Sequence, residues 1–507
     1  MSGAPGAGAR APASFREGLG WAALGLALRL FATWWAWGRV PPGADGRFYH
    51  VVAQRIAAGD GYTWLWPDGV VTFAAHYPVG YPALIGAAYA VFGATPEVAM
   101  VVNALVGGLS VLATHRVASR LGGRRVAAFA ALFVAASPSL VAYTPALMTE
   151  GLVATGLVVS GWCALVVRES AGRRRFAVGA LLCLVTGLTV LVRPQSVLLA
   201  PVLGWCAAGA GVSAARRFLG AALVTAMSVA VCAPWTARNC ARMDRCVFVS
   251  ANGGWNLLIG TFPEGQGAWV ALDGPRVPDE CREVFEEAAK DHCFRAAGRR
   301  RIASEPFAWL GLVPAKLRAT FDFTASATAY LDDAGSPASD SAKRVLRGAE
   351  VLVRRVLVLL ALYGLYRWGR AGELGGDGAS AFGAPLQQVR LAAVVLGAGF
   401  LFTTNAWVGH ALLLFVGATV GAIDRRPVIV LGLAALGVTF VVHAVFFGAG
   451  RYSMVLEPLL APLAALAFAA RRGVEAAAVA TVHPALLTVV ARPGDTARQE
   501  LHPDAVD

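Results

Sequence analysis

Asp45, Glu150 and Arg451 are the residues whose type and placement could do chemistry, because each borders a long apolar run. A carboxylate held where lipid meets water can take a proton from a nucleophile. Asp45 stands just before FYHVVAQRIAAGDGY, in which Phe48, Val51, Val52 and Ile56 recur at i, i+3, i+4 and i+8. That spacing predicts a helix with one apolar face, too short to span and suited to the interface. Asp45 reads as its N-cap, as a general base, or as both. Glu150 follows SPSLVAYTPALMT and opens an apolar helix. It reads as a first-turn acid favoured by the helix dipole or as a second carboxylate facing Asp45. Arg451 begins RYSMVLEPLL, and its planar fork matches a phosphate.

Further candidates surround these three. Tyr452, Arg193 and Arg238 are candidate partners of Arg451 in holding a phosphate, and Tyr49, His76, Tyr81 and Asn252 are candidate substrate contacts. His443 and Glu457 lie inside apolar runs, where ionisable groups are site candidates by default. Glu457 has a structural alternative, an ion pair with Arg451 or Arg193. Arg29 and His410, also inside runs, read as snorkelling or packed groups.

The elements that must position these residues follow from composition. Of 507 residues, 57% are hydrophobic and 15% charged, too little charge to cover a soluble protein of this size. The apolar residues fall in blocks of about 17–22, the span of a hydrocarbon core. The expected fold is therefore an all-α polytopic membrane protein, with spans near 19–39, 97–117, 124–143, 149–167, 176–192, 195–210, 218–235, 350–367, 386–402, 405–422, 427–447 and 453–470. The net charge of +13 comes almost wholly from Arg in short clusters between those blocks. Such clusters orient spans in a membrane and do not form a nucleic-acid face. They fall at every second junction, which predicts both termini in the cytoplasm. Arg354 and Arg355 sit awkwardly near the other end of the eighth span. Arg over Lys with abundant Ala and Gly fits a GC-rich bacterial genome, and the expected location is the bacterial plasma membrane.

Five regions result: a cytoplasmic tail 1–18; a transmembrane catalytic module 19–235 with a first outer loop 40–96; an extracytoplasmic segment 236–348; transmembrane helices 349–472; and a tail 473–507, with a Gly-rich linker at 372–385. The outer segment holds Cys240, Cys246, Cys281 and Cys293, which an oxidising compartment would join in two disulfides. Residues 279–303 read as one charged helix, which would set Cys281 and Cys293 about 18 Å apart, beyond disulfide reach. Each would then pair with Cys240 or Cys246, or stay free. Zinc is the alternative for these four. Cys163, Cys183, Cys206 and Cys232 lie in spans as packing residues.

The motifs, in their order, resemble the GT-C glycosyltransferases that use polyprenyl-phosphate sugars, and among them bacterial members of glycosyltransferase family 39, near the protein mannosyltransferases and the lipid A aminoarabinose transferase. The resemblance rests on Asp45 with its following helix, HYPVGYPALIG, LFVAASPSLVAYTPALMTE, PWTARN with NGGWNLLIG, and RYSMVLEPLL. It implies a GT-C fold with Asp45 as catalytic base, Glu150 as a second acid, and Arg451 with Tyr452 near the lipid phosphate. Many members carry a DE pair in the first loop, whereas here Gly46 follows Asp45. The implied reaction is a one-step, inverting transfer from a polyprenyl-phosphate sugar to a lipid, glycan or protein acceptor outside the cell. Phosphate is already an anionic leaving group, so the reading requires no metal and leaves a divalent ion open. A transporter or lipid flippase is the rival reading, and would place its polar groups and broken helices at mid-membrane. A non-catalytic membrane scaffold is a second rival.

Overall fold

The computed structural model describes residues 13–209, 211–374, 383–420 and 426–469. The tail 473–507, most of the tail 1–18, much of the linker 372–385 and Arg425, Arg471 and Arg472 lie outside the described residues. The chain is an all-α membrane protein. Its helices are α1 (Phe15–Ala36), α2 (Asp45–Ala57), α3 (Gly80–Phe92), α4 (Pro96–Ala136), α5 (Pro138–Ala142), α6 (Glu150–Glu169), α7 (Gly172–Val192), α8 (Ala200–Ala207) and α9 (Ala214–Arg242). They continue as α10 (Gly253–Ile259), α11 (Asp279–Arg282), α12 (Glu287–Ser304), α13 (Pro306–Gly311), α14 (Val313–Phe321) and α15 (Ser326–Asp333). The last are α16 (Asp340–Leu374), α17 (Gly383–Leu401), α18 (Ala406–Thr419), α19 (Pro427–Val445), α20 (Gly450–Met454) and α21 (Glu457–Ala465).

Among the described residues six helices, α1, α4, α6, α7, α9 and α19, are long and apolar enough to cross a membrane, and several shorter apolar helices pack among them. α1 lies along α4, α6 packs between α4 and α7, and α21 sits against α4 and α16. The expected spans 97–117 and 124–143 form one 41-residue element, interrupted at Gly122 and Gly123. Gly123 takes φ 72°, a conformation that glycine adopts without a Cβ clash.

Proline redraws two expected spans. Pro194 removes an amide donor at the end of α7, so 195–210 begins as a 3-10 turn over Pro194–Leu199 and only α8 is α-helical. The stretch 453–470 breaks into α20, α21 and a short 3-10 turn. In the first loop α2 and α3 flank a β-hairpin that the sequence reading did not anticipate: β1 (Thr63–Leu65) pairs antiparallel with β2 (Val71–Phe73).

The buried charges have partners. Arg29 is 2% exposed and donates to the carbonyls of Gly25, Val134 and Ala135 at 2.9, 3.0 and 3.3 Å. The last two end α4, where Pro138 stops the chain from supplying amides. Arg354 lies in the interior, 2.5 Å from Glu457 and 2.9 Å from the Ser453 hydroxyl. The expectation that Glu457 pairs with Arg451 or Arg193 is thus corrected to Arg354, one turn inside α16 from the buried Glu350.

The cysteine pairing is also corrected. The bridges are Cys240–Cys246 and Cys281–Cys293. Residues 279–303 are two helices, broken between Arg282 and Glu287, and the fold-back brings the Cys281 and Cys293 Cα atoms to 5.8 Å.

Candidate active site

Asp45 is the first residue of α2, but Ala44 holds the N-cap position and no side chain caps that end. The Asp45 carboxylate points elsewhere. Its Oδ1 accepts from the Tyr77 hydroxyl at 2.8 Å, and its Oδ2 lies 2.9 Å from Arg451 Nη2. Burial, and then the neighbouring Asp45 charge, raise the Tyr77 pKa far above the ordinary phenol value. Tyr77 therefore stays protonated and keeps donating. At Gly46, the position after Asp45, a Cβ would sit tightly against the Leu147 carbonyl oxygen at 3.0 Å and the Tyr330 hydroxyl at 3.2 Å.

Arg451 continues from Asp45 towards a second carboxylate, with Nε 3.7 Å from Glu150 Oε1. Glu150 is fully enclosed, holds Arg193 at 2.7 Å and accepts from the Tyr143 hydroxyl at 3.3 Å. Arg193 reaches it because Pro194 forces the preceding residue into extended backbone (φ −148°, ψ 104°), which turns the side chain off the axis of α7. Tyr452 organises the cations: both guanidinium groups lie over its ring, Arg193 at 5.1 Å and Arg451 at 5.3 Å, and His443 stacks on it at 4.5 Å.

Asp45, Arg193, Arg451, Tyr452 and His443 line one cavity of about 550 Å³, together with Tyr49, His76, Tyr77, Thr149, Gln195, Asn252 and Asn256. Its remaining wall is largely apolar, including Val192, Leu198, Val442, Phe446 and Phe447. Charged groups and hydrocarbon thus line the same cavity, which suits an amphiphile with an anionic head. Burial lowers the His76 pKa to about 4, so its ring is neutral near pH 7.

Four sequence candidates fall elsewhere. Glu150 sits behind the two arginines and off the cavity wall. Tyr81 is buried and donates to Asn103 at 3.3 Å. Glu457 belongs to the Arg354 ion pair and accepts from Ser137. Arg238 donates to the carbonyls of Tyr62 and Ala74, both at 2.8 Å, with its guanidinium over Trp235 at 4.6 Å. Tyr77, Thr149, Gln195 and Trp255 were missed. Tyr77 adjoins His76 in HYPVGY, and only the fold shows that it faces Asp45.

Residues 76–237 match the model of the dolichyl-phosphate-mannose-protein mannosyltransferase family. This stretch includes His76, Tyr77, Glu150 and Arg193 and bears out the resemblance seen in the sequence. No curated relative matches the chain. Among solved structures, the Archaeoglobus fulgidus oligosaccharyltransferase in complex with Zn and sulfate is similar at 15% identity and TM-score 0.47, over 94% of this chain and 52% of that one. The chain therefore spans about half the length of that enzyme. ArnT from Cupriavidus metallidurans in the apo state is similar at 18% identity and TM-score 0.36, over 88% of this chain and 77% of that one. Its structure bound to undecaprenyl phosphate gives 16% and 0.35, with the same coverage. Among the described residues no three His, Cys, Asp or Glu side chains cluster to hold a metal ion.

Proposed function

We propose that the chain is a membrane glycosyltransferase that moves a sugar from a polyprenyl-phosphate donor to an acceptor hydroxyl or amine on the outer side of a bacterial plasma membrane. The observation that carries this reading is the Asp45–Arg451 pair on the wall of a cavity lined by both charged and apolar side chains. The family match over residues 76–237 supports it.

In this reading the donor's tail lies along the apolar wall and its phosphate meets Arg451 and Arg193. Arg451 has donors beyond the one engaged by Asp45, and its fork can take two phosphate oxygens. Asp45 receives the acceptor's proton as the acceptor attacks the anomeric carbon, and the bond from that carbon to the phosphate oxygen breaks with inversion. The two guanidinium groups stabilise the charge growing on the leaving phosphate. Glu150 holds Arg193 and Arg451 in place, and Tyr77 holds Asp45. The loop 40–96 and the segment 236–348 face the outside, and both termini face the cytoplasm.

The test is mass spectrometry of cell-envelope glycans and lipids from cells with and without the gene. One sugar-bearing species should vanish without the gene and return with the intact gene but not with Asp45→Asn. Identical profiles in all strains would refute glycosyl transfer.

A further inference from the structure

Two of the aromatic residues lining the cavity, His76 and Trp255, come from distant stretches of chain. His76 lies in the loop after the hairpin, and Trp255 lies in the first turn of α10; their rings meet edge to face, centroids 5.1 Å apart. Both stretches are tied to one helix, α12.

The ties are two carboxylates a turn apart, on one face of that helix. Glu287 Oε2 accepts from the backbone amides of Ala75 and His76, the latter at 2.7 Å. Asp291 Oδ1 accepts from the amides of Gly254 and Trp255 at 2.6 and 3.2 Å, while its Oδ2 takes Arg295 at 2.7 Å. The helices approach so closely that a Cβ at Gly254 would lie 1.9 Å from the Asp291 carbonyl oxygen. The same loop is held from its other side, where Arg238 donates to the Ala74 carbonyl at 2.8 Å and the Ala251 amide to the Ala75 carbonyl at 2.7 Å. Phe294, one turn further along α12, packs edge-on against Trp255 at 4.6 Å. The Cys281–Cys293 bridge ties α12 to α11.

Burying a carboxylate is costly unless its lone pairs are filled. Asp291 is fully buried and Glu287 half-buried on one face of α12, and each is spent on a pair of backbone amides in a different cavity-wall segment, a placement that serves the wall. We propose that Glu287 and Asp291 are positioning residues that clip His76 and Trp255 together as the surface that holds the transferred glycosyl group. The identity of that group as a sugar rests on the function proposed above; the clip itself does not.

The test uses the full chain in detergent or nanodiscs, with Glu287→Ala, Asp291→Ala and Glu287→Gln. Hydrogen exchange read by mass spectrometry should quicken about tenfold or more at residues 75–76 in Glu287→Ala and at 254–255 in Asp291→Ala, because a buried amide loses its partner. Transfer kcat/KM should drop about tenfold in each, and Glu287→Gln, whose amide oxygen still accepts, should recover most of it. In a His76→Ala background the Glu287→Ala loss should shrink to less than about twofold, since a residue that acts through another adds little once that one is gone. Unchanged exchange at both stretches, or full additivity with His76→Ala, would overturn the proposal. Quickened exchange in a protein that transfers no sugar would uphold the clip and count against glycosyl transfer instead.

Discussion

Asp45 and Arg451, more than 400 positions apart in the chain, meet at 2.9 Å on the wall of one cavity. The proton acceptor and the anion holder of the proposed reaction are therefore neighbours before any substrate arrives. Each is partly open to the cavity, with side-chain exposures of 24% and 27%. A phosphate docking on Arg451 would weaken its hold on Asp45 and free that carboxylate for the acceptor.

The fork of Arg451 is the feature a lysine cannot supply. Arg451→Lys should lower kcat/KM about 10- to 100-fold, and Arg451→Ala about 100- to 1000-fold, the range for removing a group that stabilises developing charge. Steady-state transfer assays with purified variants measure this. Arg451→Lys at full activity would remove the bidentate contact from the account.

A Cβ at Gly46 would sit tightly against the Leu147 carbonyl and the Tyr330 hydroxyl, at 3.0 and 3.2 Å. Gly46→Ala should cost about 1 kcal/mol and Gly46→Glu 2 kcal/mol or more, by overpacking and burial of a carboxylate. Thermal unfolding in detergent checks both. A stable, active Gly46→Glu protein would show that the tight approach of α2 to Leu147 is not needed.

Glu457 and Arg354 are 2% and 3% exposed. Glu457→Gln should destabilise by about 3 kcal/mol or more, the range for leaving one buried charge uncompensated. Activity per folded molecule should hold, since neither residue lines the cavity. A variant of wild-type stability with lost transfer would return Glu457 to the site.

His76 gives a pH dependence of known sign. Its folded pKa of about 4 lies below the value of about 6.5 for a free histidine. Between these values the unfolded chain binds more protons, so stability rises with pH in that window. This contribution is complete above about pH 6.5 and weakens as pH falls towards 4, by about 2 kcal/mol at pH 5. The difference in melting temperature between the protein and His76→Gln, followed from pH 7 to 5, isolates it. A difference that does not change with pH would mean that His76 is not buried as described.

Much of this architecture was legible because lipid imposes length and polarity on every crossing helix. Apolar blocks located α1, α6, α7, α9 and α19, and the interfacial helix α2 followed from the spacing of Phe48, Val51, Val52 and Ile56. Asp45, Arg193, Arg451, Tyr452, His76, Asn252 and His443 do share a cavity. What escaped the sequence was tertiary. Arg354 looked misplaced because its partner lies over 100 positions away in Glu457. The reading of 279–303 as one helix failed because the break between Arg282 and Glu287 carries neither Gly nor Pro to mark it. Tyr77 had no periodic signal, and its role comes from facing Asp45.

The central claim is that Asp45 takes the acceptor's proton beside a cation-held phosphate. Its most direct test is the single-turnover rate of sugar transfer from an undecaprenyl-phosphate sugar by purified wild-type protein and Asp45→Asn, with binding of the lipid phosphate measured in parallel. The variant should lose 100- to 10,000-fold in rate, roughly the worth of a general base, while binding the lipid phosphate within about threefold of wild type. Transfer by Asp45→Asn at the wild-type rate would contradict the account.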